Sequence, residues 1–376
     1  MATSLYIHIP FCTRKCNYCS FNSYSGRETL QERYVDALCV EMARLRPGRD
    51  TGRLETVFLG GGTPTLLSHG QLSKLFRSLV FHFQLADDVE LSIESNPGTV
   101  DIEKLHRLKE LGVNRLSFGV QSFNDGELKG LGRVHSAKEA QFAVEIARRA
   151  GFTNISLDLM YGLPGQTPAS WRDSLETAVA LGVNHLSLYQ LTVEEKTPLE
   201  RMLAEGTRVL PDEELFAEMD SITEDISVQA GFEQYEISNY ARESSCCRHN
   251  IVYWENGEYY GAGAGAVSFL ENRRSRNEND PLSYCNLIEN SKTVIMESET
   301  LTRDASFRET VIMGLRMHRG VSVASLVKRY GIDLERYYGE SLTRMINEDL
   351  LVLKDHILQL TKRGRVFANL VMSELV

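Results

Sequence analysis

The chain has 376 residues, 42% of them hydrophobic, and a formal net charge of −10. That length holds one large domain and a smaller one, and the acidic balance without a long basic stripe argues against nucleic acid as a partner. No apolar stretch reaches the roughly 20 residues that cross a bilayer, and no signal-peptide pattern opens the chain. Seven cysteines, three of them packed into eight residues, read as metal ligands rather than a disulfide framework. The expectation is a protein of a reducing compartment, the cytoplasm.

The first element, residues 5–9, is a short β-rich run. It leads directly into Cys12, Cys16 and Cys19, spaced C-x3-C-x2-C, followed by Phe21 and Asn22 rather than a fourth cysteine. Most iron–sulfur clusters take four cysteine ligands. A cubane held by three leaves one iron open, as catalytic metal sites do. The rival reading is a zinc site with His8 as fourth ligand. Zinc motifs pair two knuckles, or one knuckle with two histidines. Only one knuckle is present, and Cys246-Cys247 lies far off with no gap between its thiols, so an iron–sulfur cluster is the preferred reading.

A helical pattern follows at 30–45, then a strand at 56–59 that ends in Gly60-Gly61-Gly62-Thr63-Pro64-Thr65. Helical periodicity returns at 71–83. A strand at 90–94 ends in Glu94-Ser95-Asn96-Pro97, and one at 115–119 ends in Gly119-Val120-Gln121-Ser122. A helix at 137–150 precedes a strand at 155–159, which carries Asp158 and runs into Tyr161-Gly162-Leu163-Pro164-Gly165. A helix at 170–181 and a strand at 185–190 complete the series. Alternating β and α units predict a parallel sheet with helices outside. Polar or glycine-rich motifs follow all of the first five strands. Barrels collect their sites at many strand ends, and doubly wound sheets collect theirs at one switch point. The expected fold is therefore α/β, a partial (β/α)6 barrel over residues 1–200.

Residues 201–302 are expected to form a post-barrel segment. It opens with a helix at 211–230 that places Pro211 at its first position, and it closes with a loop-rich connector at 271–302. Residues 303–376 are expected to form a compact end domain. Three helices (305–317, 322–330, 334–347), a hairpin (350–353 and 357–360) and a last helix from about 361 give a winged-helix-like order. Two short basic clusters, at 273–276 and 362–365, read as solvated faces.

Glu94, Gln121, Arg133 and Asp158 are each ordinary polar residues when taken alone. Their shared placement near strand ends turns them into a candidate cradle. Carboxylates accept hydroxyl or ammonium groups, and an arginine can hold a carboxylate in a bidentate fork. The glycine run matches neither a dinucleotide fingerprint nor a P-loop, but glycines at a strand end let the backbone approach a ligand.

The cysteine spacing, with Tyr18 before the last thiol, resembles the radical S-adenosylmethionine (SAM) superfamily. The resemblance narrows along the chain. Tyr6-Ile7-His8-Ile9-Pro10-Phe11-Cys12, the GGGTPT run, Glu94 to Thr99, Arg115 to Phe123, Leu131-Gly132-Arg133-Val134-His135, Asp158 to Gln166, Gln234 to Tyr240 and His249-Asn250-Ile251-Val252-Tyr253-Trp254 occur in order. Together they resemble the HemW branch related to oxygen-independent coproporphyrinogen III oxidase. The resemblance implies a [4Fe-4S] cluster on Cys12, Cys16 and Cys19, whose open iron is chelated by SAM, and one-electron cleavage of SAM to a 5′-deoxyadenosyl radical. It implies SAM contacts at Tyr6, Gly61, Gly62, Thr63, Glu94, Gln121, Arg133 and Asp158. It also implies heme as cargo, heme-acceptor proteins as partners, and an electron donor if SAM is cleaved. Two departures set the chain apart from the oxidase: Phe21 stands where the oxidase carries another cysteine, and only eleven residues precede Cys12. Heme chaperoning is thus preferred over porphyrinogen decarboxylation. His249, Tyr253 and Trp254 form the candidate heme element, because imidazole is a common heme ligand. The bland alternative buries His249 in a polar network beside Tyr235 and Glu236.

Overall fold

The computed structural model describes residues 2–45, 52–242 and 244–376. Six strands open the chain: β1 (Ser4–Ile9), β2 (Leu54–Gly61), β3 (Leu85–Ser95), β4 (Arg115–Gln121), β5 (Asn154–Tyr161) and β6 (His185–Gln190). They pair in parallel and in sequential order. Crossovers between parallel strands are right-handed, so an order that never reverses keeps every helix on one face of the sheet. The sheet therefore curls into a partial barrel, as the strand-end motifs predicted, rather than a doubly wound layer.

The strand sequences explain both faces. Residues on one side of the pleat are apolar throughout: Leu5, Ile7 and Ile9, Val57 and Leu59, Leu91 and Ile93, Leu116, Phe118 and Val120, Leu157 and Leu159, Leu186 and Leu188. All are buried in one core with the outer helices. The alternate residues are mostly polar: Ser4, Tyr6 and His8, Thr56, Ser92 and Glu94, Arg115 and Ser117, Ser156 and Asp158, His185 and Ser187. Period-two alternation sends this second set to the inner face. A barrel filled with branched aliphatics is a packed core. One lined this way is a chamber.

The outer helices are α1 (Gln31–Leu45), α2 (His69–His82), α3 (Ile102–Glu110), α4 (Asp125–Leu131), α5 (Ala137–Arg149) and α6 (Pro168–Ala180). α2, α5 and α6 begin with capping boxes on Ser68, Ser136 and Thr167. α3 and α4 have no counterpart among the sequence-predicted elements. They are short, and their caps, Asp101 and Asn124, read as turn residues when sequence alone is considered.

Beyond the barrel come α7 (Pro198–Ala204), α8 (Glu213–Gln229), β7 (Glu233–Gln234), β8 (Asn239–Ala241), α9 (Arg248–Trp254), β9 (Tyr260–Ala262), β10 (Val267–Leu270), β11 (Arg273–Asn277), α10 (Pro281–Glu289) and β12 (Ile295–Thr300). β8 pairs antiparallel with β6, and β9 pairs parallel with β1, so the sheet grows to nine strands. Two sequence expectations need correction. Pro211 precedes α8 instead of opening it: Asp212 is the cap, accepting from the Leu215 N–H at 3.0 Å. The expected connector at 271–302 is ordered as β11, α10 and β12. There Asp280-Pro281 is a cap followed by a first-turn proline, a pattern that also occurs in turns. The basic cluster on β11 faces the acidic β12: Arg274 lies 3.1 Å from Glu299 and Arg276 3.8 Å from Glu297.

The end of the chain holds α11 (Arg303–Gly314), β13 (Val321–Ser322), α12 (Val323–Tyr330), α13 (Leu334–Asn347), β14 (Leu351–Lys354), β15 (Ile357–Leu360), α14 (Lys362–Val366) and α15 (Ala368–Glu374). Its core is separate from the barrel core. The hairpin of β14 and β15 joins β13 in a three-stranded wing, as the predicted order required. Among the described residues, no helix is long and apolar enough to cross a membrane.

Candidate functional site

The three cysteines lie on the loop that leaves β1. Its ends close on each other: the Cys12 N–H donates to Tyr24 O at 2.9 Å, and the Tyr24 N–H to Pro10 O at 2.7 Å. Its middle is anchored by Asn17, whose N–H meets Leu131 O at 2.9 Å and whose Nδ2 meets Gly130 O at 3.0 Å. All seven cysteines are free thiols. Burial pushes the Cys12 and Cys19 thiols above their ordinary range. Among the described residues, no three His, Cys, Asp or Glu side chains converge on a single ion. A cubane gives each thiolate its own iron and so needs no such convergence. A mononuclear zinc site does need it.

Side chains from the segments that follow β2, β3 and α4 reach the loop. Gly132 ends α4 in the left-handed conformation, φ 78°, and so delivers Arg133 to the site. Arg133 Nη1 donates to Cys16 Sγ at 3.4 Å. Its Nη2 donates to Asn96 Oδ1 and to Gly119 O. Asn96 Nδ2 donates to Thr63 Oγ1 at 2.9 Å, and Thr63 Oγ1 donates onward to Cys12 Sγ at 3.9 Å. Two of the three thiols are thus joined by one chain of donors that starts at a guanidinium. The sequence reading missed Asn96 in this role. The signal was present in the Glu94-Ser95-Asn96-Pro97 strand end, two residues beyond Glu94.

The glycine run is packed as closely as its composition suggested. A Cβ at Gly61, where φ is +111°, would stand 2.3 Å from the His8 ring, and one at Gly62 would stand 2.5 Å from Phe11 O. The Gly61 N–H donates to Glu94 Oε2 at 3.0 Å. Burial first, and the neighbouring Asp158 second, raise the Glu94 carboxyl to about 7. Asp158 is raised by burial as well, and it accepts from Ser117 Oγ at 3.1 Å. Tyr6 donates to His8 Nδ1 at 2.9 Å, since His8 Nε2 is committed to Asn22 O at 2.8 Å. Gln121 sits at a bulge between β4 and β5 with a left-handed φ of 72°. Non-glycine residues seldom hold that conformation.

The fold places His249, the sequence-based candidate heme ligand, in a polar network at the edge of the barrel. His249 belongs to α9, not to an extended segment, and is fully buried. Thr56 Oγ1 donates to Ser4 Oγ, so it accepts from His249 Nδ1 at 2.8 Å, and His249 Nε2 accepts from Tyr253 OH at 2.8 Å. Both ring nitrogens are therefore occupied. The ring stacks at 5.3 Å on Phe58 and at 6.4 Å on Tyr6, closing the barrel floor. Burial and the Arg115 charge lower its pKa to about 3. The Glu90 carboxylate takes the first N–H groups of α9, from Arg248 at 2.9 Å and His249 at 3.1 Å. That is the stabilising arrangement at a helix N-terminus. Trp254, at the end of the motif, lies outside this network, with the Arg316 guanidinium 4.4 Å over its ring.

The signature of the Radical SAM superfamily matches residues 6–178, and that of the HemN C-terminal domain matches 301–367. The chain is 39% identical over 367 residues to the heme chaperone HemW of Bacillus subtilis, covering 97% of each sequence. It is 34% identical to the heme chaperone HemW of Lactococcus lactis over 99% of this chain and 97% of that one. The chain belongs to the HemW family. Its fold superposes with a TM-score of 0.87 on coproporphyrinogen III oxidase (HemN) from Escherichia coli, a radical SAM enzyme, at 25% identity over 100% of this chain and 90% of that one. As a radical SAM protein, this HemW-family member implies an iron–sulfur cluster and SAM. The donor set fits both groups. Three free thiols share one loop, and the buried Arg133 Nε has no hydrogen-bond partner of its own.

Proposed function

We propose that this protein binds heme and delivers it to acceptor hemoproteins in the cytoplasm, with a [4Fe-4S] cluster and SAM as resident cofactors. The observation that carries this reading is the 39% identity across 97% of both chains to a protein named heme chaperone HemW. Cys12, Cys16 and Cys19 hold the cluster, and the iron without a cysteine is left for SAM. When bound, the pair supplies one-electron chemistry that side chains cannot.

The SAM cradle comprises Tyr6, Gly61, Gly62, Thr63, Glu94, Gln121, Arg133 and Asp158. Gly61 and Gly62 bring backbone close to the ligand. Glu94 and Asp158 accept hydroxyl or ammonium groups. Arg133 does not offer a free two-nitrogen fork, because both terminal nitrogens are engaged. It contributes charge and its unpaired Nε. An electron donor is required wherever SAM is cleaved.

Gln121 supplies an internal check. Gln121→Gly removes both the carboxamide and the left-handed strain, which costs ~1 kcal/mol. The variant is expected to melt a few degrees higher and to bind SAM more weakly. A lower melting temperature would show that the side chain supports the fold more than its backbone strains it.

The functional test has two arms. Hemin titrated into the full-length protein should bind, and His249→Ala should bind it equally well while losing stability. Anaerobic incubation with coproporphyrinogen III, SAM and reductant should yield no protoporphyrinogen. Product at enzymatic rates would replace the chaperone reading with that of an oxidase.

A further inference from the structure

The side chains that reach Cys12 from outside its loop form a relay whose hydrogens have one possible direction. Arg133 Nη2 donates to Asn96 Oδ1. A guanidinium has no acceptor atom, so the carboxamide oxygen is fixed on Arg133 and the carboxamide nitrogen on the opposite side. That nitrogen, Nδ2, donates to Thr63 Oγ1 at 2.9 Å. The hydroxyl therefore accepts from Asn96, and its one hydrogen goes to Cys12 Sγ at 3.9 Å. Thr63 is buried, and its own N–H is tied to Phe11 O at 2.7 Å, next to Cys12 in the chain.

Asn96 departs from a local rule to do this. It is the cap residue of the single 3₁₀ turn Pro97–Thr99, with φ −91° and ψ 141°, yet its side chain makes no capping bond. Asparagine in that position ordinarily turns its oxygen onto the backbone N–H groups that follow. Here the Asn96 backbone carbonyl holds the turn instead, accepting from the Thr99 N–H at 2.9 Å and from Thr99 Oγ1 at 2.8 Å. The carboxamide is thereby released to the relay. Departures of this kind gather at functional sites. Lys104 on α3 steadies both ends. Its Nζ donates to Thr65 O at 2.7 Å and to Thr99 O at 3.5 Å, which joins the turn after β2 to the turn after β3.

We infer that Asn96 is a positioning residue that aims the Thr63 hydroxyl hydrogen at Cys12, and that this donor raises the reduction potential of the cluster. The inference rests on the [4Fe-4S] reading and adds what sets the ease of reduction. Reduction adds one electron, taken from the one-electron donor that SAM cleavage requires. No bond breaks and no proton moves. The added negative charge spreads onto the thiolate sulfurs, so a hydrogen bond to sulfur favours the reduced state. Arg133 makes the equivalent contact to Cys16 at 3.4 Å. Ser23, inside the loop, is the other hydroxyl beside Cys12.

The test is a redox titration of anaerobically reconstituted full-length protein without SAM. Titanium(III) citrate is the reductant, and electron paramagnetic resonance reads the reduced cluster. Thr63→Val removes the hydroxyl at nearly constant shape. It is expected to shift the cluster about 10-fold toward the oxidised form, ~59 mV for one electron. Thr63→Ser should return the wild-type potential. Asn96→Asp keeps the acceptor for Arg133 but replaces the donor by an acceptor, so the hydroxyl hydrogen leaves Cys12 for the carboxylate. Its potential should also fall, and by less in the Thr63→Val background, because part of the effect runs through that hydroxyl. Resonance Raman spectra of wild type in H2O and D2O need no substitution, and iron–thiolate bands should move on deuteration. Iron content should stay at about four per chain throughout. Unmoved potentials in iron-loaded Thr63→Val and Asn96→Asp, fully additive shifts, or bands that ignore deuteration each overturn the relay and leave the cluster reading standing. A wild type that takes up no iron overturns both.

Discussion

Cys16→Ala, reconstituted anaerobically with iron and sulfide, is expected to carry almost no iron, whereas wild type carries about four atoms per chain. The reasons lie in the loop. Three thiols are the full cysteine complement there, and Cys16 is the one that meets the Arg133 guanidinium directly, at 3.4 Å. Removing it takes away one ligand and leaves the half-buried Arg133 cation without its sulfur acceptor. SAM should then lose its anchor. Wild type should gain ~2.7 kcal/mol of stability at SAM concentrations a hundred times its dissociation constant, and Cys16→Ala should gain almost none. Iron analysis and melting curves with and without SAM check both statements. A variant with full iron and the wild-type SAM shift would remove Cys16 from the cluster.

Glu41→Leu is expected to destabilise the protein by about 3 kcal/mol or more, measured by urea unfolding. Glu41, on α1, is buried and receives three donors from the post-barrel segment. These are the Gly263 N–H at 2.7 Å, Asn277 Nδ2 at 2.6 Å and Tyr284 OH at 2.5 Å. Leucine fills similar space, leaves the Gly263 N–H and the Tyr284 OH without this acceptor, each at a cost of roughly 1–3 kcal/mol, and leaves Asn277 Nδ2 only its bond to Gly263 O at 3.0 Å. The consequence reaches the cluster loop, since Asn22 Nδ2 donates to Ala264 O and Asn279 O, each at 3.0 Å. Burial also holds the Glu41 carboxyl up at about 7, above its ordinary 4.5. Between those values the folded chain retains a proton that the unfolded chain releases. The stability this group contributes is thus complete at low pH and is lost as pH rises through 7, by on the order of 3 kcal/mol. Glu94 carries the same shift, so Glu41→Gln should reduce the slope without abolishing it. A stability profile that is flat from pH 5 to 8 in wild type would contradict the buried, protonated state of both.

What was legible in the chain was whatever depends on local order. The cysteine loop, the glycine run after β2 and the polar strand ends each depend on a few adjacent residues, and each appears where the sequence placed it. The C-terminal order of helices and hairpin was legible for the same reason. Period-two alternation along the six strands was also present in the sequence, and it marks the inner face as polar. Short helices were not legible. α4 is too brief to show a stripe, α3 carries only Ile102, Leu105 and Leu108, and the caps Asp101 and Asn124 resemble turns.

The sequence by itself put three cysteines on one eight-residue loop, whatever the rest of the chain does. It also determined the strand-and-helix alternation, because side-chain period is a local property. Only the tertiary structure decided which way the long-range motifs face. His249, read from sequence as a heme ligand, is 193 positions from Thr56 and hydrogen-bonded to it. Arg133, read as a carboxylate fork, spends its terminal nitrogens on Cys16, Asn96 and Gly119. Those partners come from separate strands and loops. No spacing rule encodes such contacts, because they exist only once the sheet has closed.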